Sequence, residues 1–237
     1  MKNITVRTPS SDEVLNIRDF VRAGLNEHWF RAYYNGIFLS VPIQAVILVC
    51  VLFILTFVEK LRFQDVSIII TCVHLTLAGL ARQYWRMIIN EATIEFESQQ
   101  KFHEMYLKQS ESNFWIAELK HEGRPSILVG TVGVRLPKIE HAFKNKEKIC
   151  CTSLELTRMS VAKSCRGRGV ANILLSKVLQ HAHKHKKHVV LHTTGAQPAA
   201  MRFYYKNGFQ RIVERKERVL SGAISLPTYY FIKLFKE

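Results

Sequence analysis

The 237-residue chain predicts an α+β fold: a central mixed, mostly antiparallel sheet flanked by helices, with an apolar helical hairpin inserted near its N-terminal end. Three observations carry this. Residues 154–171, LELTRMSVAKSCRGRGVA, read as an apolar-alternating strand (Leu154, Leu156, then Met159 and Val161) that passes through a basic glycine turn into the helix-like run NILLSKVLQHAHK. Pairs of short apolar runs on either side read as further strands. The stretch from Ile37 to Val58 carries no formal charge.

In chain order, residues 3–7, NITVR, read as a first strand. Ser10, Ser11 and Asp12 are helix-entry residues, and Val14, Leu15, Ile17, Phe20, Val21 and Leu25 follow at helical spacing. The charge-free run IFLSVPIQAVILVCVLFILTFV, with Pro42 and Gln44 near its start, is long enough to cross a hydrocarbon core of about 30 Å. After EKLRFQD comes a shorter run, Val66–Ala81, which Leu80, Tyr84 and Trp85 extend if Arg82 snorkels. Either both segments cross as a hairpin, or they form a re-entrant or interfacial pair. The remaining alternative is two buried core helices of a soluble protein, although a charge-free run this long is rare there. Arg31 before them and Arg82 and Arg86 after them put both flanks on the cytosolic side. His74, inside the second run, is either an intramembrane functional group or a residue hydrogen-bonded within the hairpin. The chain so divides into residues 1–36, an insertion at 37–85, and the remainder at 86–237.

Polar character returns near Asn90. The run ATIEFESQQKFHEMYLKQ reads as an amphipathic helix with Ile94, Phe96, Phe102, Met105 and Tyr106 toward a core. FWIAEL, a turn at HEGRP, and SILVGTVGVRL read as an antiparallel hairpin. PKIEHAFKNKEKICC is a polar, basic loop, either a surface insertion or a segment facing the acceptor. After the central strand, turn and helix, HVVLHTT reads as a strand and PAAMRFYYKN as a helix closed by Gly208. FQRIVERKERV and SLPTYYFIKLF make a closing pair of strands.

A net charge of +15 allows acidic partners: nucleic acid, anionic lipid or the phosphates of a nucleotide cofactor. With no Arg-rich arm or low-complexity tail, a nucleic-acid partner is not expected, and the charge reads as a solvated basic surface beside a membrane. Five cysteines without a C-x-x-C form neither a disulfide framework nor a zinc knuckle, which fits a reducing compartment. The start, MKNITVRTPSSDEV, has no cleavable-signal pattern. In HAHKHKKH, His181 and His185 have the spacing of shared metal ligands. No cysteine or carboxylate completes a set, however, and the lysines repel a cation, so no metal is expected.

The central turn carries the chemistry. A helix N-terminus offers unpaired N–H groups and the positive end of the dipole. Gly167 and Gly169 allow close approach or positive φ, and Lys163, Arg166 and Arg168 add charge. The stretch suits a polyanion such as a pyrophosphate. Arg166, Gly169 and Ala171 fit [QR]-x-x-G-x-[GA], and AMRFYYKNGF (200–209) fits A-x-x-x-Y-x-x-x-G-F. In this order the two motifs resemble those of the GNAT acetyltransferases.

That resemblance implies acetyl-CoA as co-substrate. Arg166, Gly167, Arg168, Gly169, Val170 and Ala171 would hold its pyrophosphate, and the backbone of Met159 and Val161 would pair with its pantetheine arm. Gln197 stands where many such enzymes carry a cofactor-binding asparagine. Tyr204 would protonate the departing thiolate, with Tyr205 directed elsewhere. Glu155, on the central strand, is either the general base or a structural ion-pair partner.

NEH near residue 27, FWIAE, LTRMSV, RGRGVA and FYYKNGF together resemble the camello-like N-acetyltransferases, whose members are associated with the endoplasmic reticulum membrane. LTRMSV is most like the aspartate-acetylating branch, in which Arg158 would face an acceptor carboxylate. The resemblance implies a membrane-anchored enzyme, its catalytic part toward the cytosol, acetylating a small-molecule amine such as an amino acid or cysteine S-conjugate. A protein-lysine acetyltransferase and a catalytically silent membrane scaffold are the alternatives.

Overall fold

The computed structural model describes residues 3–38, 40–57, 63–121, 123–137, 152–219 and 224–235. Its strands are β1 (Ile4–Arg7), β2 (Asn113–His121), β3 (Arg124–Arg135), β4 (Ser153–Val161), β5 (His188–Thr194), β6 (Gln210–Val219) and β7 (Ile224–Lys233). They form one sheet in the order β1-β2-β3-β4-β5-β7-β6. Every neighbouring pair is antiparallel except β4 with β5. A parallel pair needs a crossover, and a helix supplies it. The helices are α1 (Val14–Asn26), α2 (Trp29–Tyr33), α3 (Val41–Phe57), α4 (Phe63–Ala92), α5 (Gln99–Phe102), α6 (Val170–Lys184) and α7 (Pro198–Lys206). The polar loop expected before β4 lies outside the described residues from position 138 to 151.

Strand alternation sorts side chains to two faces. On one, Val132, Val134, Leu154, Leu156 and Leu191 pack against Leu174, Leu175 and Val178 of α6 and Tyr204 of α7. On the other, Phe114 and Ile116 pack with Phe96, Phe102, Tyr106 and the Val14, Ile17, Val21 stripe of α1. Gly133 lets this second layer sit close, since a Cβ there would lie 2.6 Å from the Tyr106 ring.

The central strand breaks its own alternation. Thr131 pairs with Ser160 and Gly133 with Thr157, so two steps on β3 face three on β4. Arg158 takes up the extra residue at φ 51°, a left-handed value that is uncommon outside glycine. Its carbonyl accepts the Thr131 hydroxyl at 2.8 Å. The bulge turns two successive side chains, Thr157 and Arg158, to the α1 face and returns Met159 to the other.

The amphipathic helix expected over ATIEFESQQKFHEMYLKQ is broken into a 3-10 turn at Ile94–Phe96, the short α5, and a π-turn at His103–Leu107. Polar side chains there compete with the helical ladder. The Thr93 hydroxyl donates back to Ile89 O at 2.8 Å, and extended Ser98 caps α5 by accepting Lys101 N at 3.1 Å. Phe96, Phe102 and Tyr106 reach the core; Ile94 is exposed, because the break rotates it outward.

The two apolar runs form α3, of 17 residues, and α4, of 30. At 1.5 Å per residue α4 is about 45 Å long. It therefore extends well past the expected end at Ala81 and delivers the chain to Thr93 and Glu95. Val41, Val46, Val49 and Phe53 on α3 and Ile68, Leu75 and Leu80 on α4 are exposed. One side of α4 docks on the domain. Leu77, Ala78 and Ala81 pack with Tyr33 and Ile37, the Tyr33 hydroxyl donates to His74 O at 3.1 Å, and Arg82 lies 5.1 Å over the Trp29 ring. The His74 ring packs at 5.3 Å on Phe38.

Candidate functional site

β4 and β5 pair at Ser153–His188, Leu154–Val189 and Glu155–Val190, and their register stops there. Beyond it β4 keeps pairing with β3 to Val161, while β5 keeps pairing with β7 to Thr194. The two central strands so part in mid-sheet, and Met159 and Val161 lie on the diverging stretch of β4. Parallel neighbours that separate leave β4 backbone groups without their ladder partner, a seat for an extended amide-bearing ligand.

At the open end the chain turns through residues 162–169 into α6. Gly167 and Gly169 have φ of 75° and 79°, and Gly169 is the N-cap. A side chain in that backbone region would be strained, so glycine is required by geometry. The first N–H groups of the 15-residue α6 face the turn, where helix dipole and basic side chains favour an anion. Arg166 lies folded onto the domain. Its Nη1 and Nη2 donate to Glu27 at 2.7 and 3.1 Å, and its Nε donates to Val161 O at 3.1 Å. The hydrogen bond from Arg166 holds the Glu27 carboxyl below its ordinary range despite partial burial.

Tyr204 reaches the same place from α7. Its hydroxyl lies 3.9 Å from Met159 Sδ, and its ring packs on Phe209, Phe203 and Phe231. Burial pushes the phenol well above its ordinary range, so it is a protonated donor at neutral pH. Tyr205 points outward onto Phe231. Gln197 precedes α7, where its Oε1 accepts the Thr193 hydroxyl at 2.8 Å.

On the opposite face of the sheet four charges interlock. Glu155, fully buried on β4, accepts Arg135 Nε at 3.1 Å, and its other oxygen lies 3.4 Å from His192 Nδ1. Arg158 donates through Nε and Nη2 to both oxygens of Glu95, at 2.6 and 3.1 Å. Glu95 also accepts the Tyr106 hydroxyl at 2.7 Å and lies 3.8 Å from Arg135. Burial alone would raise Glu95, but the bonds from Arg158 and Tyr106 outweigh it and keep the carboxyl below its ordinary range. Sequence reasoning singled out Glu155 and Arg158 but missed Glu95, Arg135 and His192. The one trace of Arg135 was a cation ending an otherwise apolar strand.

His181 and His185, considered as a metal pair, have ring centroids 4.5 Å apart. His181 shares a hydrogen bond of 2.9 Å with Glu111 O and sets its ring edge against Trp115. Among the described residues no cluster of three or more histidine, cysteine or acidic side chains could hold a metal.

The model of the acetyltransferase (GNAT) family matches residues 80–209. N-acetyltransferase 8 of Rattus norvegicus is 26% identical over 250 residues, spanning 98% of this chain and 97% of the relative. N-acetylaspartate synthetase of Homo sapiens is 31% identical over 234 residues, spanning 92% of this chain and 70% of the relative. Among solved structures, an acetyltransferase of the GNAT family from Staphylococcus aureus superposes with a TM-score of 0.53 at 15% identity, covering 97% of this chain and 98% of that one. A Salmonella typhimurium structure solved with acetyl-CoA superposes at 0.52 and 11% identity, covering 99% and 95%. At these identities the two structures show a shared fold.

Proposed function

As a member of the acetyltransferase (GNAT) family, of the camello-like kind, this chain is an acetyl-CoA-dependent N-acyltransferase, and we propose that it is held in a membrane and acetylates a small-molecule amine such as an amino acid or cysteine S-conjugate. The observation that carries the reading is the placement of Tyr204 and Glu155 on opposite faces of the sheet, beside the gap where β4 leaves β5.

The glycine turn and α6 N-terminus fit a pyrophosphate, and the diverging edge at Met159 and Val161 fits a pantetheine arm. Acetyl-CoA supplies the activated acetyl group. Glu155, directly or through water, takes a proton from the acceptor ammonium. The freed amine nitrogen then bonds to the acetyl carbonyl carbon as the carbon–sulfur bond breaks. Tyr204, protonated and aimed at the Met159 segment, gives its proton to the thiolate. Arg158, steadied by Glu95, presents its guanidinium to an acceptor carboxylate. Gln197 lends an amide to the cofactor side, and Arg168 adds positive charge at the turn.

The membrane reading rests on the exposed apolar sides of α3 and α4 and on the basic flanks Arg31, Arg82 and Arg86. The proposed membrane is that of the endoplasmic reticulum, with the catalytic part toward the cytosol, a reading supported by the likeness to camello-like enzymes. Alkaline extraction of membranes from expressing cells tests it; release of the chain into the supernatant would overturn it.

The activity is tested by acetyl-CoA consumption in detergent against aspartate, S-benzylcysteine, free lysine and a basic peptide. Turnover of one small amine is expected. Turnover of the peptide alone would make the chain a protein-lysine acetyltransferase. Failure to bind acetyl-CoA would leave a silent scaffold.

A further inference from the structure

We propose that His192 is the outlet through which the proton taken from the acceptor amine leaves the protein, passing from Glu155 to the imidazole and then to solvent. This rests on Glu155 being the base. A carboxylate with 0% exposure that accepts a proton at each turnover must hand it on before the next. One of its oxygens is occupied by Arg135 Nε at 3.1 Å, and the other lies 3.4 Å from His192 Nδ1. The His192 side chain is 43% exposed, so the ring spans the distance from the buried carboxylate to water.

Strand geometry makes this contact possible. On β5, Leu191 faces α6 and Thr193 bonds to Gln197 ahead of α7, which leaves His192 on the side of the sheet that holds Glu155. Glu155 pairs in register with Val190, and His192 stands two residues further along, on the part of β5 that has left β4. Among the described residues, the titratable and charged groups facing the imidazole are Glu155 from β4, with Arg135 of β3 behind it, and Tyr230 from β7, at 5.8 Å between ring centroids. Imidazole is the side chain best suited to accept and release a proton near neutral pH.

The balance closes. An ammonium acceptor starts with three protons on nitrogen and its amide product keeps one. One of the two lost protons ends on the coenzyme A thiol, Tyr204 having supplied that thiolate and then been reprotonated from the nitrogen. The other goes to Glu155, to His192 Nδ1, and from Nε2 to water. This restores Glu155 and leaves the imidazole with its proton on Nδ1, and proton exchange of the exposed ring with solvent returns it to the Nε2–H tautomer.

His192→Gln keeps a polar side chain but cannot relay a proton. The test uses the full-length protein in detergent, acetyl-CoA, and whichever of aspartate or S-benzylcysteine the wild type acetylates. The variant should lose at least about 10-fold in kcat with KM for acetyl-CoA unchanged, and its kcat–pH profile should change shape. Added imidazole should restore turnover. Wild-type kcat and pH profile in His192→Gln, with Glu155→Gln inactive, would overturn the outlet and leave the base standing. A loss that imidazole does not rescue, with an unchanged pH profile, would make His192 structural and also overturn it. Wild-type kcat in Glu155→Gln would overturn the base and the outlet together.

Discussion

Arg158 and Glu95 hold each other through two hydrogen bonds, at 2.6 and 3.1 Å, at the residue where β4 adopts a left-handed backbone. Both side chains are largely buried, so removing one partner strands the other. Losing half of a buried pair costs about 3–5 kcal/mol. Arg158→Met should therefore lower the melting temperature in detergent by roughly 6–20 °C, on the scale expected for a chain of this size. Arg158→Met with Glu95→Gln should recover much of that loss. Equal melting of the single and double variants would show that the pair does not hold the bulge.

The Tyr204 hydroxyl lies 3.9 Å from Met159 Sδ, and its ring packs on Phe209 and Phe231. Tyr204→Phe should leave the melting temperature within about 2 °C, since the ring packing is kept. Steady-state kinetics should show kcat reduced by roughly 10²–10⁴-fold, the range for a lost proton donor. An acetyl donor with a more acidic thiol should narrow the gap, because its thiolate needs less help to leave. Undiminished kcat would remove Tyr204 from the chemistry.

Arg166 is committed to Glu27 and Val161 O in the structure described. It adjoins Gly167 in sequence, at the entrance to the glycine turn. Arg166→Ala should raise KM for acetyl-CoA by about 10-fold or more while leaving KM for the acceptor within about 2-fold. A shift in acceptor KM alone would place Arg166 on the other substrate.

Glu13 sets a pH dependence far from the site. Hydrogen bonds from Arg7, at 2.6 and 2.8 Å, outweigh partial burial, and bonds from Ser10 add to them, holding the carboxyl at about 2 instead of 4.5. A carboxyl lowered in the folded state stabilises it fully above the unfolded value, and that contribution disappears as pH falls from about 4.5 toward about 2. Glu13→Gln should therefore melt below wild type at pH 7, with the difference shrinking through that window. A difference that is constant with pH would contradict the assignment. Because the pair is partly exposed, the effect at pH 7 is modest and weakens with salt.

The catalytic half was legible because its signals are local. Alternation marks β4, glycines mark the turn, and Ala200, Tyr204 and Gly208 sit at fixed offsets on and just past one short helix. Even the bulge is written there, as a slip in phase between Leu156 and Met159 that a strict period of two does not allow. Pairings across the sheet leave no such mark. Arg135 meets Glu155 across 20 residues, Arg158 meets Glu95 across 63, and Arg166 meets Glu27 across 139. The helix expected after Asn90 failed for a related reason. Its apolar residues do recur at helical spacing, but Thr93 and Ser98 bond the backbone themselves, and three aromatic rings are satisfied only by a broken path.

The parting of β4 from β5 makes the sheet a septum with a slit in it. In the proposed reaction the leaving thiol takes its proton from the α7 side, while the amine surrenders one proton to Glu155 on the α1 side and its second through the slit to Tyr204. Each product can then withdraw by the side from which its substrate came, and neither has to pass the other. A reaction whose two ends are chemically incompatible, one needing an acid and the other a base at the same pH, is so divided by a wall one residue thick.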